Sequence, residues 1–187
     1  MEIKEIIKPR YTENGAIDCE VILEGRGDPI PYTATAEDTV TTGQRIREEL
    51  LGGKWGDIAP FTVTPGLIAA AKDAKKREIE AWRTEQEAQP FTFEWNGRTW
   101  NAGPDSMARL YPVVMAAKSS SVRDVMAWGD AGNEQVKLSM SELEQLAAAM
   151  ARAQIDRNDE IYRRQREMKD DLNNLEDLKS VRNFILE

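Results

Sequence analysis

Residues 91–100 read FTFEWNGRTW, an Asn-Gly pair with aromatic residues alternating away from it. Asn-Gly suits a two-residue type I′ loop, because both central positions of that loop need positive φ. Closing the loop there pairs Trp95 with Arg98, Phe93 with Trp100 and Phe91 with Ala102. Strand alternation then sends Phe91, Phe93, Trp95 and Trp100 to one face. An isolated two-stranded ribbon is marginal in water, so this face needs a cover. Flanking helices can supply it, and the aromatics read as the core of a small α+β domain rather than as a ligand wall.

The chain after the hairpin fits that reading. Asp105-Ser106 is expected to cap a helix that Pro112 kinks or delays. Ser119-Ser120-Ser121 reads as a linker before a second hairpin, formed by Val122 to Trp128, a turn over Gly129 to Asn133, and Gln135 to Leu138. Ser139-Met140-Ser141-Glu142 is a capping box that opens a long helix. Its first half carries Leu143, Leu146, Ala147, Met150 and Ala153 at clean helical spacing. Its second half is densely charged, and Ile155, Ile161, Tyr162, Met168 and Leu172 form a narrow seam. A helix of that composition needs support, either from a second copy through this seam or from the tail over 175–186 folding back.

Before the hairpin, residues 1–33 look extended, with an apolar run at Val21-Ile22-Leu23 and a turn-rich stop at Gly25 to Pro29. Asp38 or Thr39 is expected to cap a helix reaching about Leu51, and Gly52-Gly53 to end it. Trp55, Ile58, Pro60 and Phe61 follow as an apolar tail able to cover that helix. Thr64-Pro65 opens a second helix and Gln89-Pro90 closes it. Its face of Ile68, Ala71, Ile79 and Trp82 is interrupted by Lys75, so it reads as a connector or a coiled-coil partner, too thinly striped for a core helix, with the domain boundary inside it. The expected organisation is a small β-rich module over 1–64, a connecting helix over 65–89, and an α+β module over 90–187 with two hairpins packed on helices and a long C-terminal helix.

Composition narrows the function. The chain has 187 residues, a net charge of −8, one cysteine and no histidine. Without histidine the Ser-His-Asp and Cys-His pairs, the ordinary base near neutral pH and most zinc sites are gone. No phosphate-binding loop, dinucleotide fingerprint or nucleophile elbow is present, and no motif implies a cofactor or a metal. Asp130 to Glu134 lacks the alternating oxygen ligands of a calcium loop and reads as a turn. Glu48-Glu49, Asp170-Asp171 and Asp156/Asp159/Glu160 fall on predicted helix surfaces, so no catalytic site is assigned. The negative charge argues against nucleic acid as main partner, and the basic clusters Lys75-Lys76-Arg77 and Arg163 to Arg166 read as solvated helix faces. No apolar run approaches the roughly 18 residues of a membrane span, and the N-terminus is not patterned like a signal peptide.

Two stretches carry a resemblance. Residues 29–61 contain Ile30-Pro31-Tyr32-Thr33-Ala34, the acidic pair Glu37-Asp38, Gly43, and Gly53 through Phe61 in the pattern G-x-W-G-x-I-A-P-F. This segment resembles the tail-fibre assembly proteins of tailed phages. From Phe91 onward the chain is similar to a domain of uncharacterised function from the same class of phage proteins. The marks are Phe91, Phe93, Gly97, Trp100, Ser106, Trp128, Val136 to Ser139, Glu142-Leu143 and Leu175/Leu178. The lysine-rich stretch over 72–83 is left unexplained.

The resemblance implies a non-enzymatic chaperone that binds the C-terminal region of a phage tail-fibre protein and promotes its folding and trimerisation. It implies action in the host cytoplasm during assembly, with Tyr32, Trp55, Ile58, Pro60 and Phe61 as the residues that engage the fibre. The alternative is a permanent structural subunit of the fibre or baseplate, located in the virion tail. A carboxylate-based glycan hydrolase is the third reading, and it would need two carboxylates facing a cleft.

Overall fold

The computed structural model describes residues 2–117 and 125–187, an α+β protein whose chain divides into compact units over 1–64 and 65–187. In the first unit, β1 (Ile3–Tyr11), β2 (Ile17–Leu23) and β3 (Ile30–Ala34) form an antiparallel sheet in the order β1-β2-β3. Alternation along β2 turns Ile17, Cys19 and Val21 inward, where they meet Ile6, Ala34, and Ile46 and Leu50 of α1 (Thr41–Leu51). Lys8 adopts a φ of 54° where the β1 register shifts between Ile7 and Arg10, the mark of a β-bulge. Neither Asp38 nor Thr39 is the N-cap of α1. That position is Val40, which makes no side-chain cap. The Asp38 carboxylate instead accepts from the Tyr32 hydroxyl and from the Val40 amide, the latter at 2.9 Å.

In the second unit, β4 (Phe91–Trp95) and β5 (Arg98–Ala102) pair in the register that Asn-Gly implies, with Phe93 opposite Trp100 and Phe91 opposite Ala102. Asn96 and Gly97 have φ of 51° and 72°, as a type I′ loop requires. Trp100 is fully buried, donates its indole N–H to the Trp95 carbonyl at 2.9 Å, and meets the Trp95 ring edge-on at 6.0 Å. Leu110 and Val114 of α3 (Pro104–Ala117) cover this face, together with Leu143, Leu146 and Met150 of α4 (Met140–Asn174). The second hairpin is β6 (Val125–Gly129) with β7 (Gln135–Ser139), and Leu138 joins the same core. Ser119-Ser120-Ser121 and the expected strand start at Val122 lie outside the described residues.

Two starts differ in detail from the pattern. α3 begins at Pro104, ahead of the expected Asp105-Ser106 cap, with proline at the first helical position where its missing N–H is harmless. Gly103 precedes it at φ 105° and passes so near Pro90 that a Cβ would stand 3.1 Å from the Pro90 Cα. Pro112 lies inside α3 without ending it. The capping box of α4 is formed as read: the Glu142 amide donates to Ser139 Oγ at 3.2 Å, and the Ser139 amide donates to Glu142 Oε2 at 2.8 Å.

The helix expected as a connector or a coiled-coil partner, α2 (Pro65–Ala88), takes the second part and belongs to the second unit's core. It runs antiparallel to the charged half of α4. Ala71 and Ile79 are buried against Met168 and Leu172, and Leu178 and Val181 of the short α5 (Leu178–Arg182) close the cluster. The stripe is thin because polar contacts complete it. Gln165, 2% exposed, donates to Glu80 at 2.8 Å, and Lys169 also bonds Glu80. Near the helix ends, Lys72 donates to the Asn173 carbonyl at 2.7 Å and Arg157 to the Gln86 carbonyl at 3.1 Å, so each helix satisfies a terminal carbonyl of the other. The 163–166 cluster is therefore not a uniformly solvated face, since Gln165 within it is buried.

Trp100→Ala removes the largest buried ring and its indole hydrogen bond to the Trp95 carbonyl. We expect a loss of about 3–5 kcal/mol in chemical denaturation, together with loss of the near-ultraviolet circular dichroism of the Trp95–Trp100 pair.

Candidate functional site

The residues expected to engage a partner lie on the first unit, around the chain that leaves α1. Gly52 and Gly53 end the helix, Gly53 at φ 74°, and Lys54 and Trp55 turn back over its last turns. Glu49 organises this return. Its carboxylate accepts from Arg45 at 2.9 Å, from Lys54 at 2.9 Å and from the Trp55 indole at 2.8 Å. The Lys54 ammonium also stands 4.9 Å from the centre of the Trp55 ring. Ala59 then pairs in parallel with β1: its amide donates to the Pro9 carbonyl at 2.9 Å, and its carbonyl accepts from the Tyr11 amide at 2.8 Å. Residues 53–59 therefore form a hook fixed at one end by Glu49 and at the other by the β1 edge.

The five expected residues divide along this hook. Tyr32, Trp55 and Ile58 are half-buried and pack on the core of the sheet. Pro60 and Phe61 are exposed, and exposed Val63 continues the apolar run. Trp55 and Ile58 thus cover the sheet and α1, while Phe61 keeps 36% of its surface open to solvent. The Tyr32 hydroxyl is pushed up to about 12, first by donating to Asp38 and then by burial. Gly43 makes that contact possible, because a Cβ there would overlap both the Asp38 carboxylate and the Tyr32 hydroxyl. Pattern reading missed Glu49, which passed as one of two carboxylates on a helix surface. The available signal was Arg45, four residues before it on the same helical face.

The seam expected on α4 separates into two faces. Ile161, Met168 and Leu172 are buried within the chain, Met168 and Leu172 against α2 and α5, so none of the three is open to a second copy. Ile155 and Tyr162 lie on a separate face about a third of the way round the helix, 59% and 50% exposed. The reason is periodicity: positions 161, 168 and 172 share one face of a straight helix, and 155 and 162 share another. The fold-back tail and α2 together hold the charged half of α4. Among the described residues no helix is long and apolar enough to cross a membrane.

A family model described as "Domain of unknown function (DUF4376)" matches residues 70–185. The chain belongs to that family. Its span takes in most of α2 and continues through α5, so the family domain contains the antiparallel helix pair and both hairpins, whereas the hook lies before it. No curated protein and no solved structure matches the chain.

Glu49 tests the hook, and Gly43 tests the Tyr32–Asp38 contact. The Lys54 hydrogen bond is the largest of the contacts that hold the Glu49 carboxyl at about 2, below its ordinary 4.5. A depressed carboxyl stabilises the fold above its unfolded value and loses that contribution as pH falls through the folded value. Glu49→Gln should therefore be less stable than the parent above about pH 4.5 and converge with it near pH 2. Nuclear magnetic resonance of the Trp55 indole N–H in both proteins follows the contact directly. Gly43→Ala should destabilise the first unit by about 1–3 kcal/mol by overpacking, read by hydrogen exchange of β2 amides.

Proposed function

We propose that the chain is a phage tail-fibre assembly chaperone that binds the C-terminal region of the fibre protein through the hook of its first unit. The observation that carries this reading is the form taken by the segment resembling fibre-assembly proteins. Glu49 and the Ala59 bridge hold a rigid return, and from it Pro60, Phe61 and Val63 present exposed apolar surface. Fixing the hook in advance lowers the ordering cost of binding. A fibre rich in β structure has non-local contacts and open strand edges while incomplete, and covering those edges prevents aggregation. Such a protein would act in the host cytoplasm while fibres assemble.

The displaced carboxylates serve as hydrogen-bond acceptors within the fold. Asp38, Glu49, Glu80, Asp130, Glu142 and Asp177 are all held below their ordinary values. Each is held by a hydrogen bond, respectively from Tyr32, Lys54, Lys169, the Glu134 amide, Ser139 and Ser180.

Co-expression with the fibre protein of the same genome tests the proposal, scored as the yield of soluble trimeric fibre. The parent chain should raise that yield. Phe61→Asp should abolish the gain with folding intact, and Trp55→Ala should weaken it. No effect of the parent chain on any fibre encoded alongside it would overturn the reading. Recovery of the chain from purified virions at fixed stoichiometry would replace it with that of a permanent subunit.

A further inference from the structure

Three surfaces among the described residues lie apart from the hook. The outer face of the first sheet carries Lys8–Glu20 at 2.9 Å, Arg10–Asp18 at 3.9 Å and Thr33–Asp18 at 2.7 Å. A polar cleft in the second unit is lined by Asn101, Arg109, Trp128 and Gln135. On the sheet the polar groups are largely exposed, and in the cleft the buried Asp130 and Ser106 already accept from Arg98, the Glu134 amide and Arg109, so nothing selects a ligand. The third surface, along α4, is different because its charges have an order.

We propose that two copies of this chain associate through the exposed face of α4, antiparallel, about a two-fold axis beside Ile155. This does not depend on the chaperone reading. Ala148, Ile155 and Tyr162 recur at heptad spacing on a face separate from that of Met168 and Leu172, and all three are exposed. Ala148 also borders an apolar groove of about 250 Å³ between α3 and α4, lined by Met107, Tyr111, Val114 and Ala151. Tyr111 is 64% exposed at its rim. In the antiparallel arrangement Ala148 of one copy lies opposite Tyr162 of the other, so the small residue and the groove receive the large ring.

The charges on this face fix direction and number. Glu144 and Arg166 stand equally far before and after Ile155. Arg152 precedes it and Asp159 follows it by about one turn each. Among the described residues none of these four is in an ion pair; Arg166 only lies over its own Tyr162 ring, 5.0 Å from the centre. A two-fold axis at Ile155 brings Glu144 of one copy to Arg166 of the other, and Arg152 to Asp159, twice each. A parallel pair in register puts Glu144 on Glu144 and Arg166 on Arg166, as does a three-fold bundle of parallel helices. Like charges so placed oppose association. The face is self-complementary only under two-fold symmetry, the isologous case. Contact over 144–166 would run about 33 Å along the helix.

Sedimentation of the full chain in the tens-of-micromolar range should give a dimer, and Ile155→Asp should weaken it by about tenfold or more, with unchanged circular dichroism. Glu144→Arg alone and Arg166→Glu alone should each weaken the dimer, and the two combined should restore it. With Cys19 replaced by Ser, Ile155→Cys lies on the axis and should form a disulfide-linked dimer on mild oxidation. A monomeric parent chain, a trimer, a double swap no better than its singles, or failure of the Ile155→Cys link would each overturn the proposal.

Discussion

The antiparallel contact between α2 and the second half of α4 carries the rest of the second unit. Ile79, Met168 and Leu172 supply its apolar seam, but the seam alone is narrow. Glu80 completes it by taking bonds from Gln165 and Lys169, and Lys72 and Arg157 satisfy carbonyls near the helix ends. Charged side chains can cover a core in this way because their stems are apolar and only their heads need partners. With this contact in place the first half of α4 is presented to the hairpins, and Leu143, Leu146 and Met150 reach Trp100.

That arrangement explains what was legible in the chain beforehand. The Asn96-Gly97 hairpin, its register and the capping box at Ser139 were readable because each depends on a few neighbouring residues. The role of α2 was readable only as two alternatives, a connector or a helix partner, and the second is the one the fold uses. Helical periodicity counts apolar residues, and the partners that make α2 a core helix are Glu80 and Lys72, which count against burial. The same blindness applied to α4, where Ile155 and Tyr162 were grouped with Ile161, Met168 and Leu172 although the five occupy two faces.

The candidate site divides similarly. Trp55, Ile58 and Phe61 stood out as an apolar cluster between glycines, but which of them is buried depends on a carboxylate and a backbone bridge. Glu49 fixes Trp55 and Ala59 fixes the chain against β1, leaving Phe61 as the exposed member. A bridge between Arg10 and Ala59 joins positions far apart in sequence and leaves no local mark. The Tyr32–Asp38 contact is hidden in the same way, since its requirement falls on Gly43, where a missing side chain does the work.

The helix pair has a further consequence for how the chain reaches its folded state. In the first unit the bond from Lys8 to Glu20 spans 12 positions, and the sheet closes between strands adjacent in sequence. In the second unit the bonds from α4 to α2 span 71 to 101 positions. As the chain leaves the ribosome the first unit can close early, whereas α2 must wait with Ile79 uncovered until the end of α4 has emerged. Long-range closure of this kind slows folding and prolongs the exposure of apolar surface. The polar residues along α2 keep that waiting helix in solution, so its thin apolar stripe serves the interval before folding as well as the folded state.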